Sequence, residues 1–327
     1  MQKIYIGIDV GSVSTNLVAM NGNKNVVESL YIRTQGNPIQ SIKNVLQIIK
    51  STINESEVAG VGVTGSGRHL AGIITGADII KNEITTHGVA ALHFVPEVKT
   101  IIEIGGQDSK LILIQNGIIY DFAMNTICAA GTGSFIDRQA ERLAIPIEKF
   151  GEIALESQTN VRIAGRCAVF AESDMIHKQQ MGHNTEDIVN GLCEALVRNY
   201  INNLAKGKKL ESPIVMQGGV SLNIGIVKAF ERVLGCKIEV PKYASVMGAF
   251  GAAILARKET RKKGYTNFVG FDEIECDYEV KSFECGVCAN ACEVIDFYKD
   301  SERIAMYNDR CGRYTNSILK IKMAHTI

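Results

Sequence analysis

The stretch Asp9-Val10-Gly11-Ser12-Val13-Ser14-Thr15 decides the fold of this chain. It closes an apolar strand with an acid and then opens a hairpin with small and hydroxyl-bearing residues. The backbone N–H groups of Gly11 and Ser12 can approach a phosphate closely, because no bulky side chain intervenes. The stretch therefore predicts a phosphate-binding turn. Its predicted ligand-binding residues are Asp9, Gly11, Ser12, Ser14 and Thr15.

A second stretch, Glu103-Ile104-Gly105-Gly106-Gln107-Asp108-Ser109, repeats the order of strand, glycine turn and polar residues. We expect its two glycines, Gly105 and Gly106, to form the matching phosphate turn. Asp9 is expected to hold Mg²⁺ through water, since Mg²⁺ in proteins usually keeps several waters. Either the Gln107 amide or the Asp108 carboxylate of the second turn is expected to orient the attacking water. The predicted catalytic residues are Asp9, Gln107 and Asp108.

The apolar periodicity repeats one α/β plan twice along the chain. The first copy has predicted strands at 3–9, 15–20, 26–33 and 58–63 and a helix at 38–53. The second copy has predicted strands at 99–104, 110–114, 118–122 and 213–217 and helices at 131–143, 185–204, 222–234 and 246–257. We predict a duplicated α/β architecture whose ligand lies between the halves, at the carboxyl ends of strands. The predicted domains are 1–97, 98–262 and a C-terminal extension, 263–327.

Two more glycine-rich stretches follow predicted strands or begin helices. Gln217-Gly218-Gly219-Val220 suits close packing against a base or ribose, and Gly248-Ala249-Phe250-Gly251 gives the last helix a small-residue face. Any one stretch alone is better explained by an ordinary glycine turn after a strand. Four of them at such positions in a duplicated fold favour a nucleotide site. The chain has no Walker-type Gly-x-x-x-x-Gly-Lys-Ser/Thr and no Gly-x-Gly-x-x-Gly near the first strand. Further predicted cofactor contacts are Gly218, Gly219 and Gly248.

Composition excludes several other classes of protein. The chain has 327 residues, enough for two ordinary domains, and its 35 basic and 35 acidic side chains give a formal net charge of zero. This balance gives no electrostatic basis for binding nucleic acid or an anionic membrane. The start of the sequence lacks a signal-peptide pattern, and no apolar run approaches 18 residues. We therefore expect a cytoplasmic protein.

Two of the nine cysteines stand just ahead of predicted helices. Cys128 lies in Asn125-Thr126-Ile127-Cys128-Ala129-Ala130-Gly131-Thr132-Gly133, and Cys167 lies in Ala164-Gly165-Arg166-Cys167-Ala168. Clustered cysteines in a reducing compartment indicate metal, iron–sulfur or redox chemistry rather than disulfides. The alternative is that the two are unrelated buried thiols. Their glycine-rich, helix-opening context favours thiolates.

These motifs together resemble one family. The stretches at 9–12, 104–108 and 217–220 look like the phosphate and adenosine motifs of the actin, sugar-kinase and heat-shock ATPase superfamily. The stretches at 128–133 and 165–167 narrow the likeness to the activator ATPases of 2-hydroxyacyl-CoA dehydratases and the ATPase subunits of benzoyl-CoA reductases. The likeness covers residues 1–260. It implies duplicated ribonuclease H-like domains that bind ATP or ADP in the cleft between them.

The resemblance also implies one 4Fe–4S cluster that bridges a homodimer. A 4Fe–4S cluster takes four thiolates in the usual case, and Cys128 and Cys167 from two copies supply them. The free N–H groups of the helices after the cysteines are expected to face the anionic cluster. The cofactor residues expected beside the cluster loop are Gly131, Thr132 and Gly133. The implied function is to take one electron from a ferredoxin or flavodoxin and, driven by ATP hydrolysis, to deliver it to a cluster-containing dehydratase or reductase.

The C-terminal extension carries a second group of cysteines that compact members of this family lack. Its predicted metal site is Cys285, Cys288, Cys292 and Cys311, with Cys276 nearby. A Cys-x-x-Cys with two further cysteines suits structural Zn²⁺ or a second iron–sulfur site. Redox-active or unliganded thiols are the alternative.

Two other functions remain open at this point. A small-molecule kinase of the same superfold predicts phosphoryl transfer to an added acceptor. An ATP-binding redox sensor predicts a cluster with negligible ATP turnover. Four polar residues near Cys167, which are Glu172, Asp174, His177 and His183, are expected to form a polar surface near the dimer or partner contact rather than a metal site. Arg166 is expected either to supply positive charge near the cluster or to make an ordinary surface ion pair.

Overall fold

The computed structural model describes residues 3–315 and contains two five-stranded sheets built on the same plan. In the first sheet the spatial order is β3-β2-β1-β4-β5, with β1, β2 and β3 antiparallel and β4 and β5 parallel to β1. Its strands are β1 (Ile4–Val10), β2 (Ser14–Asn21), β3 (Val26–Arg33), β4 (Val58–Thr64) and β5 (Ile79–Ile80). The parallel β1–β4 register pairs Asp9 with Thr64.

The second sheet repeats this topology with the order β8-β7-β6-β9-β10. Again three strands form an antiparallel meander and two more are added in parallel. Its strands are β6 (Thr100–Ile104), β7 (Ser109–Gln115), β8 (Ile118–Asn125), β9 (Ile214–Gln217) and β10 (Ile238–Glu239). The predicted duplication of an α/β unit is confirmed.

Helices cover both sheets. They are α1 (Pro38–Lys50), α2 (Arg68–Thr75), α3 (Glu83–Phe94), α4 (Gly133–Arg142), α5 (Ile147–Leu155), α6 (Ala168–Gln180), α7 (Thr185–Leu204), α8 (Ile224–Leu234) and α9 (Met247–Lys263). Helix α1 shows how the sequence sets a start. The Asn37 side chain accepts a hydrogen bond from the Gln40 backbone, and Pro38 occupies the first turn, where its missing N–H costs nothing.

Helices α3 and α9 form a central layer between the two sheets. The core there joins Tyr5 and Val18 of the first sheet to Ile112 and Val215 of the second. Helix α9 lies directly on the first sheet, and a Cβ built on Gly7 would stand 1.9 Å from the Ala249 carbonyl oxygen. Only a glycine permits this contact between strand and helix backbones.

The second domain has its own core on the outer face of its sheet. Helices α4 to α8 pack there around buried residues such as Phe135, Phe150, Leu196, Tyr200 and Phe230. The predicted helix 131–143 is wrong at its start. Ala129–Gly131 forms a separate 3₁₀ turn, and α4 begins only after Thr132, whose backbone is extended (φ −131°, ψ 167°).

The C-terminal extension forms a three-stranded antiparallel sheet of β11 (Tyr278–Glu284), β12 (Glu293–Lys299) and β13 (Glu302–Tyr307). The sheet packs on the first domain, where Tyr278 and Phe297 share a core with the strands and helix α1. The Lys43 ammonium donates to the Cys276 carbonyl at 2.6 Å. The domain boundaries at 97/98 and 262/263 remain predictions.

None of the helices within residues 3–315 combines the length and the apolar character that crossing a membrane requires.

Candidate functional site

The two glycine turns face each other across one cleft. The first turn joins β1 to β2 and is closed by a Gly11 N–H donated to the Ser14 carbonyl at 2.9 Å. The second joins β6 to β7 and is closed in the same way by Gly105 and Asp108 at 3.0 Å. A Cβ on Gly106 would stand 2.7 Å from the Val13 side chain. The turns are therefore in contact across the two halves of the chain.

Most of the residues predicted from the sequence line this cleft. They are Asp9, Gly11, Ser12, Ser14, Gly105, Gly106, Gln107, Asp108, Gly218 and Gly219. Gly218 has φ 88°, and a Cβ there would stand 2.3 Å from the Ile104 carbonyl oxygen. A residue with a side chain would therefore be strained at this positive φ, and its Cβ would also overlap the neighbouring strand.

Four predicted residues have other surroundings. The Thr15 hydroxyl is buried and hydrogen-bonds with those of Thr34 and Ser41, at 3.0 and 2.7 Å. A Cβ on Gly248 would stand 2.1 Å from an Asp9 carboxylate oxygen, so this glycine makes room for Asp9. Gly131 packs against the Asn199 side chain. The Thr132 hydroxyl donates to the Ala129 carbonyl at 2.8 Å.

A buried lysine organises the acidic end of the cleft. Lys110 is 2% exposed, and its ammonium lies 3.0 Å from Glu103, 2.8 Å from Asp108 and 3.3 Å from Glu83. Glu83 begins α3, whereas the other three residues belong to the second sheet and its turn. Lys110 therefore ties the two halves of the molecule together at the floor of the cleft.

Negative charge exceeds positive charge at this floor. Burial, together with the neighbouring carboxylates of Glu83 and Glu103, raises the pKa of Asp9 to about 8. Burial also raises the pKa of Glu103 to about 7, although Lys110 opposes this shift. Asp9 and the three carboxyl groups that contact Lys110 thus share this floor with one lysine. A divalent cation would relieve this excess, so the residues present fit Mg²⁺.

Buried polar atoms beside the acids also lack protein partners. Asn16 lines the cleft, and its side-chain amide oxygen has no hydrogen-bond partner. The side-chain amide oxygen of Gln217 has none either. The Gln217 amide nitrogen lies 2.9 Å from His87 Nδ1. Burial and the nearby Lys110 lower the pKa of His87 to about 4, so its ring is neutral at pH 7. Bound water or a ligand would satisfy these atoms.

A less polar cavity of about 390 Å³ continues from the glycine turns. It lies between β3 and the helices α4 and α8 and has the mixed apolar and polar lining of a ligand pocket. Arg33 of the first half and Asp137 of the second form an ion pair of 3.5 Å at its edge. Its lining residues include Tyr31, Gly133, Ile136, Val220, Leu222 and Asn223. This space suits a nucleobase and ribose.

The two cysteine loops come together away from the cleft. The Cys128 sulfur lies 3.9 Å from the carbonyl oxygen of Arg166, the residue before Cys167. Asn199 of α7 fixes both loops, since its amide donates to the Cys128 sulfur at 3.7 Å and to the Gly165 carbonyl at 2.7 Å. Both thiols are free and half-buried.

The surface around the two cysteines is apolar and exposed. Ile127 is 96% exposed, and Val169 and Phe170 are 69% and 68% exposed. Cys167 directly precedes α6, whereas Cys128 precedes the 3₁₀ turn of Ala129–Gly131. Exposed apolar side chains around two half-buried thiols fit a cluster held at a contact between two chains.

A short hydrogen-bonded link joins the cysteine loop to the cleft. Backbone N–H groups of Gly133 and Ser134 donate to the carbonyls of Gly105 and Gly106, at 2.9 and 2.8 Å. The Ser134 hydroxyl also donates to the Gly106 carbonyl, at 2.5 Å. Since α4 begins at Gly133, the start of this helix is attached to the second phosphate turn.

Three extension cysteines, Cys285, Cys288 and Cys292, lie in the turn between β11 and β12, whereas Cys276 precedes β11 and Cys311 follows β13. Cys285 is buried beside Val294, and its N–H donates to the Cys292 carbonyl at 2.8 Å. Cys288 and Cys311 are exposed. Across residues 3–315, no three His, Cys, Asp or Glu side chains are arranged to hold a metal ion. A metal in the extension stays a prediction.

The sequence did not mark several residues of the site. Glu83, His87 and Lys110 lie inside regular helices and strands, without a glycine motif beside them. Lys110 stands in an otherwise apolar strand, and this was the one available signal in the sequence. Buried lysines are rare unless paired, so the position indicated a buried ion pair.

Comparison with known proteins agrees with the duplicated α/β fold. The pattern of the BadF/BadG/BcrA/BcrD ATPase family matches residues 6–256. The (R)-2-hydroxyglutaryl-CoA dehydratase activating ATPase of Acidaminococcus fermentans is 36% identical over 266 residues, which cover 80% of this chain and 100% of that protein. The activator of lactoyl-CoA dehydratase of Anaerotignum propionicum is 32% identical over 262 residues, 79% of this chain and 99% of that activator.

A solved structure gives the same result. The activator of the 2-hydroxyisocaproyl-CoA dehydratase from Clostridium difficile, with bound ADPNP, superposes with a TM-score of 0.73 and 32% identity. The superposition covers 81% of this chain and 97% of the activator.

Proposed function

This chain belongs to the BadF/BadG/BcrA/BcrD ATPase family, and from that premise we propose that it is an ATP-driven one-electron donor. Its relatives include activator ATPases of dehydratases and one component of a benzoyl-CoA reductase, which supports ATP-dependent activation of a partner enzyme. The acceptor in this proposal is a cluster-containing 2-hydroxyacyl-CoA dehydratase, aryl-CoA reductase or related reductase. A ferredoxin or flavodoxin is the proposed electron source.

ATP binds across the cleft in this proposal. The backbone N–H groups of the two glycine turns hold the phosphates, and the less polar cavity beside Gly219 takes the adenosine. Asp9 holds Mg²⁺ through water, and the burial of its carboxylate leaves it in need of a cation. When bound, Mg²⁺ neutralises charge on the phosphates. The ATP analogue bound by the Clostridium difficile activator supports nucleotide binding by this chain.

Hydrolysis requires a water aligned with the terminal phosphate. Gln107 and Asp108 stand on the second turn, where the amide can orient that water and the carboxylate can accept its proton. Lys110 holds the Asp108 carboxylate through contacts of 2.9 and 2.8 Å to its two oxygens. The water oxygen bonds to the terminal phosphorus, the bond to the bridging oxygen breaks, and ADP and inorganic phosphate leave.

The cluster is held by Cys128 and Cys167 of two copies. When bound, a 4Fe–4S cluster takes up and releases one electron. The single observation that carries the proposal is the meeting of the two cysteine loops, with the Cys128 sulfur 3.9 Å from the Arg166 carbonyl. The exposed Ile127, Val169 and Phe170 then become contacts between copies. The unpaired N–H groups at the start of α6 favour negative charge beside Cys167.

The nucleotide state reaches the cysteines through α4. A shift of the Gly105–Gly106 turn pulls the start of α4, because the carbonyls of this turn accept its first N–H groups. The Cys128 loop precedes α4 by a few residues and moves with it. Zn²⁺ or a second iron–sulfur group in the extension remains part of the proposal and has no role in this step.

Anaerobic purification tests the proposed function. The wild-type protein should contain iron and sulfide and change its visible spectrum when ATP is added to the reduced form. Cys128→Ala should lose the cluster and keep ATP binding, while Cys236→Ala, another half-buried thiol, should keep both. A colourless wild-type protein would refute the cluster. Phosphoryl transfer to an added small-molecule acceptor would instead favour a kinase. A protein that holds a cluster but does not hydrolyse ATP would favour a redox sensor.

A further inference from the structure

A second cavity lies on the other side of the first phosphate turn. It has a volume of about 530 Å³ and shares Gly11, Ser12 and Ser66 with the nucleotide cleft. Its opposite wall comes from the extension, through Ile295, Tyr307 and Asn308. These wall residues lie beyond residue 256, where the family match ends. The extension therefore encloses a space that begins at the phosphate turn.

The two cavities have opposite charge. The nucleotide cleft is lined by four carboxylates and one lysine, whereas the second cavity is lined by Arg68 and His69 and, among residues 3–315, by no Asp or Glu. The Arg68 guanidinium donates to the Gly65 carbonyl at 3.1 Å. No carboxylate in the described part of the chain lies within ion-pair distance of it. Its charge is thus available to an anion.

The wall of the cavity also offers neutral hydrogen-bond donors and a closing contact. The Ser12 hydroxyl and the Asn308 amide line it, and one N–H of that amide already donates to the Glu293 carbonyl at 2.8 Å. The Ser66 hydroxyl also lines it but donates to the Val10 carbonyl at 3.2 Å. Partial burial and the neighbouring Arg68 lower the pKa of His69, so this ring acts as a neutral partner beside one cation. Tyr307 stacks on His69, with ring centroids 5.3 Å apart and planes at 26°. The stack covers the cavity on the side of the extension.

We propose that this cavity is an anion site for inorganic phosphate, which it receives from the nucleotide cleft, with Arg68 as the cation. The inference rests on the proposed ATP hydrolysis, since that reaction produces a phosphate anion next to the shared turn. An anion in the cleft lies among four carboxyl groups, whereas one beyond Ser12 and Ser66 faces a guanidinium and the Ser12 hydroxyl. The extension retains the anion because Tyr307 and His69 stand across its outward path.

Direct titration with inorganic phosphate separates this site from the nucleotide site. The full-length protein is first saturated with a nonhydrolysable ATP analogue, whose terminal phosphate fills the cleft. We expect one phosphate to bind each chain of this complex. Arg68→Gln should weaken that binding at least tenfold, roughly the effect of losing one charged hydrogen bond. Arg68→Lys should weaken it less, and Arg261→Gln, an exposed arginine on α9, should leave it unchanged.

The outcomes distinguish this inference from the proposed function. Unaltered affinity for the ATP analogue shows that the Arg68 variants are folded. Phosphate that fails to bind once the analogue is present, or that binds Arg68→Gln as well as wild type, would overturn the anion site. The titration needs no hydrolysis, so a protein without ATPase activity would contradict the proposed function and not this result. With hydrolysis, Tyr307→Ala should release phosphate faster in a single turnover, and an unchanged rate would refute its closing role.

Discussion

At the scale of single residues, the buried Lys110 holds together the acidic side chains of the cleft. Its ammonium is the one cation in the described part of the cleft lining and faces Glu83, Glu103 and Asp108. No local pattern in the sequence predicted this, because its partners are brought to it by two different sheets and α3. The glycine turns were predictable because their backbone requirement is local, whereas a buried charge network depends on the whole fold.

Replacing Lys110 with Met should destabilise the protein by about 3–5 kcal/mol, because three carboxylates lose their buried partner. ATP hydrolysis should fall with it, since Asp108 loses the contact that positions its carboxylate. Lys110→Arg keeps the positive charge but changes the shape of the side chain, so it should recover part of the stability lost in Lys110→Met. Urea unfolding and a steady-state ATPase assay measure the two effects. Lys149→Met, an exposed lysine paired with Glu152, is the control, and equal loss in both variants would contradict this role.

The raised pKa of Asp9 predicts a pH dependence of stability in the absence of nucleotide and Mg²⁺. Its pKa of about 8 in the folded chain exceeds the ordinary value of 3.8, so the folded state binds more protons between these values. Stability from this group is present below pH 4 and is lost as the pH rises towards 8. Melting temperatures from pH 5 to 8 should fall more steeply for wild type than for Asp9→Asn. Parallel curves would show that Asp9 ionises normally.

At the scale of elements, α9 holds the first sheet through backbone contact. Gly7→Ala should destabilise the protein by about 1–3 kcal/mol or more, because the added methyl group would overlap the Ala249 carbonyl. Gly22→Ala is the matched control, since a Cβ there meets no atom within 4 Å. Thermal unfolding of both variants decides the matter. A Gly7→Ala protein as stable as Gly22→Ala would mean that α9 lies further from the sheet.

The attachment of α4 to the second phosphate turn predicts a separation of function. Ser134→Ala removes the hydroxyl bond to the Gly106 carbonyl, a contribution of about 1 kcal/mol. The variant should assemble the cluster and bind ATP, but ATP should change the cluster spectrum less than in wild type. Ser173→Ala, at an exposed hydroxyl of α6, serves as control. An ATP response of wild-type size in Ser134→Ala would place the coupling elsewhere.

Apolar periodicity located both ends of one long helix. Helix α7 was predicted at 185–204 and spans those residues. The start of α4 was wrong because the turn of Ala129–Gly131 and the extended Thr132 interrupt the helix. That interruption depends on contacts with Asn199 and with the second phosphate turn, which no local pattern contains.

At the scale of the whole molecule, the duplication explains why two short stretches were enough to predict which residues would line one cleft. Equivalent hairpins end equivalent strands in the two sheets, so they meet where the halves face each other. The extension could not be placed in the same way. Its sheet shares a core with α1 and contacts α2 through the stacking of Tyr307 on His69, and these contacts join residues more than 200 positions apart in the sequence.

The central claim is that two copies of the chain hold one cluster through Cys128 and Cys167. The most direct measurement is iron and acid-labile sulfide content, combined with the native mass, for anaerobically purified wild type and Cys128→Ala. The account predicts a dimer in which Cys128→Ala removes about four irons per two chains, the content of one 4Fe–4S cluster. Equal iron content in the two proteins, or a wild-type monomer that retains a full cluster, would contradict it.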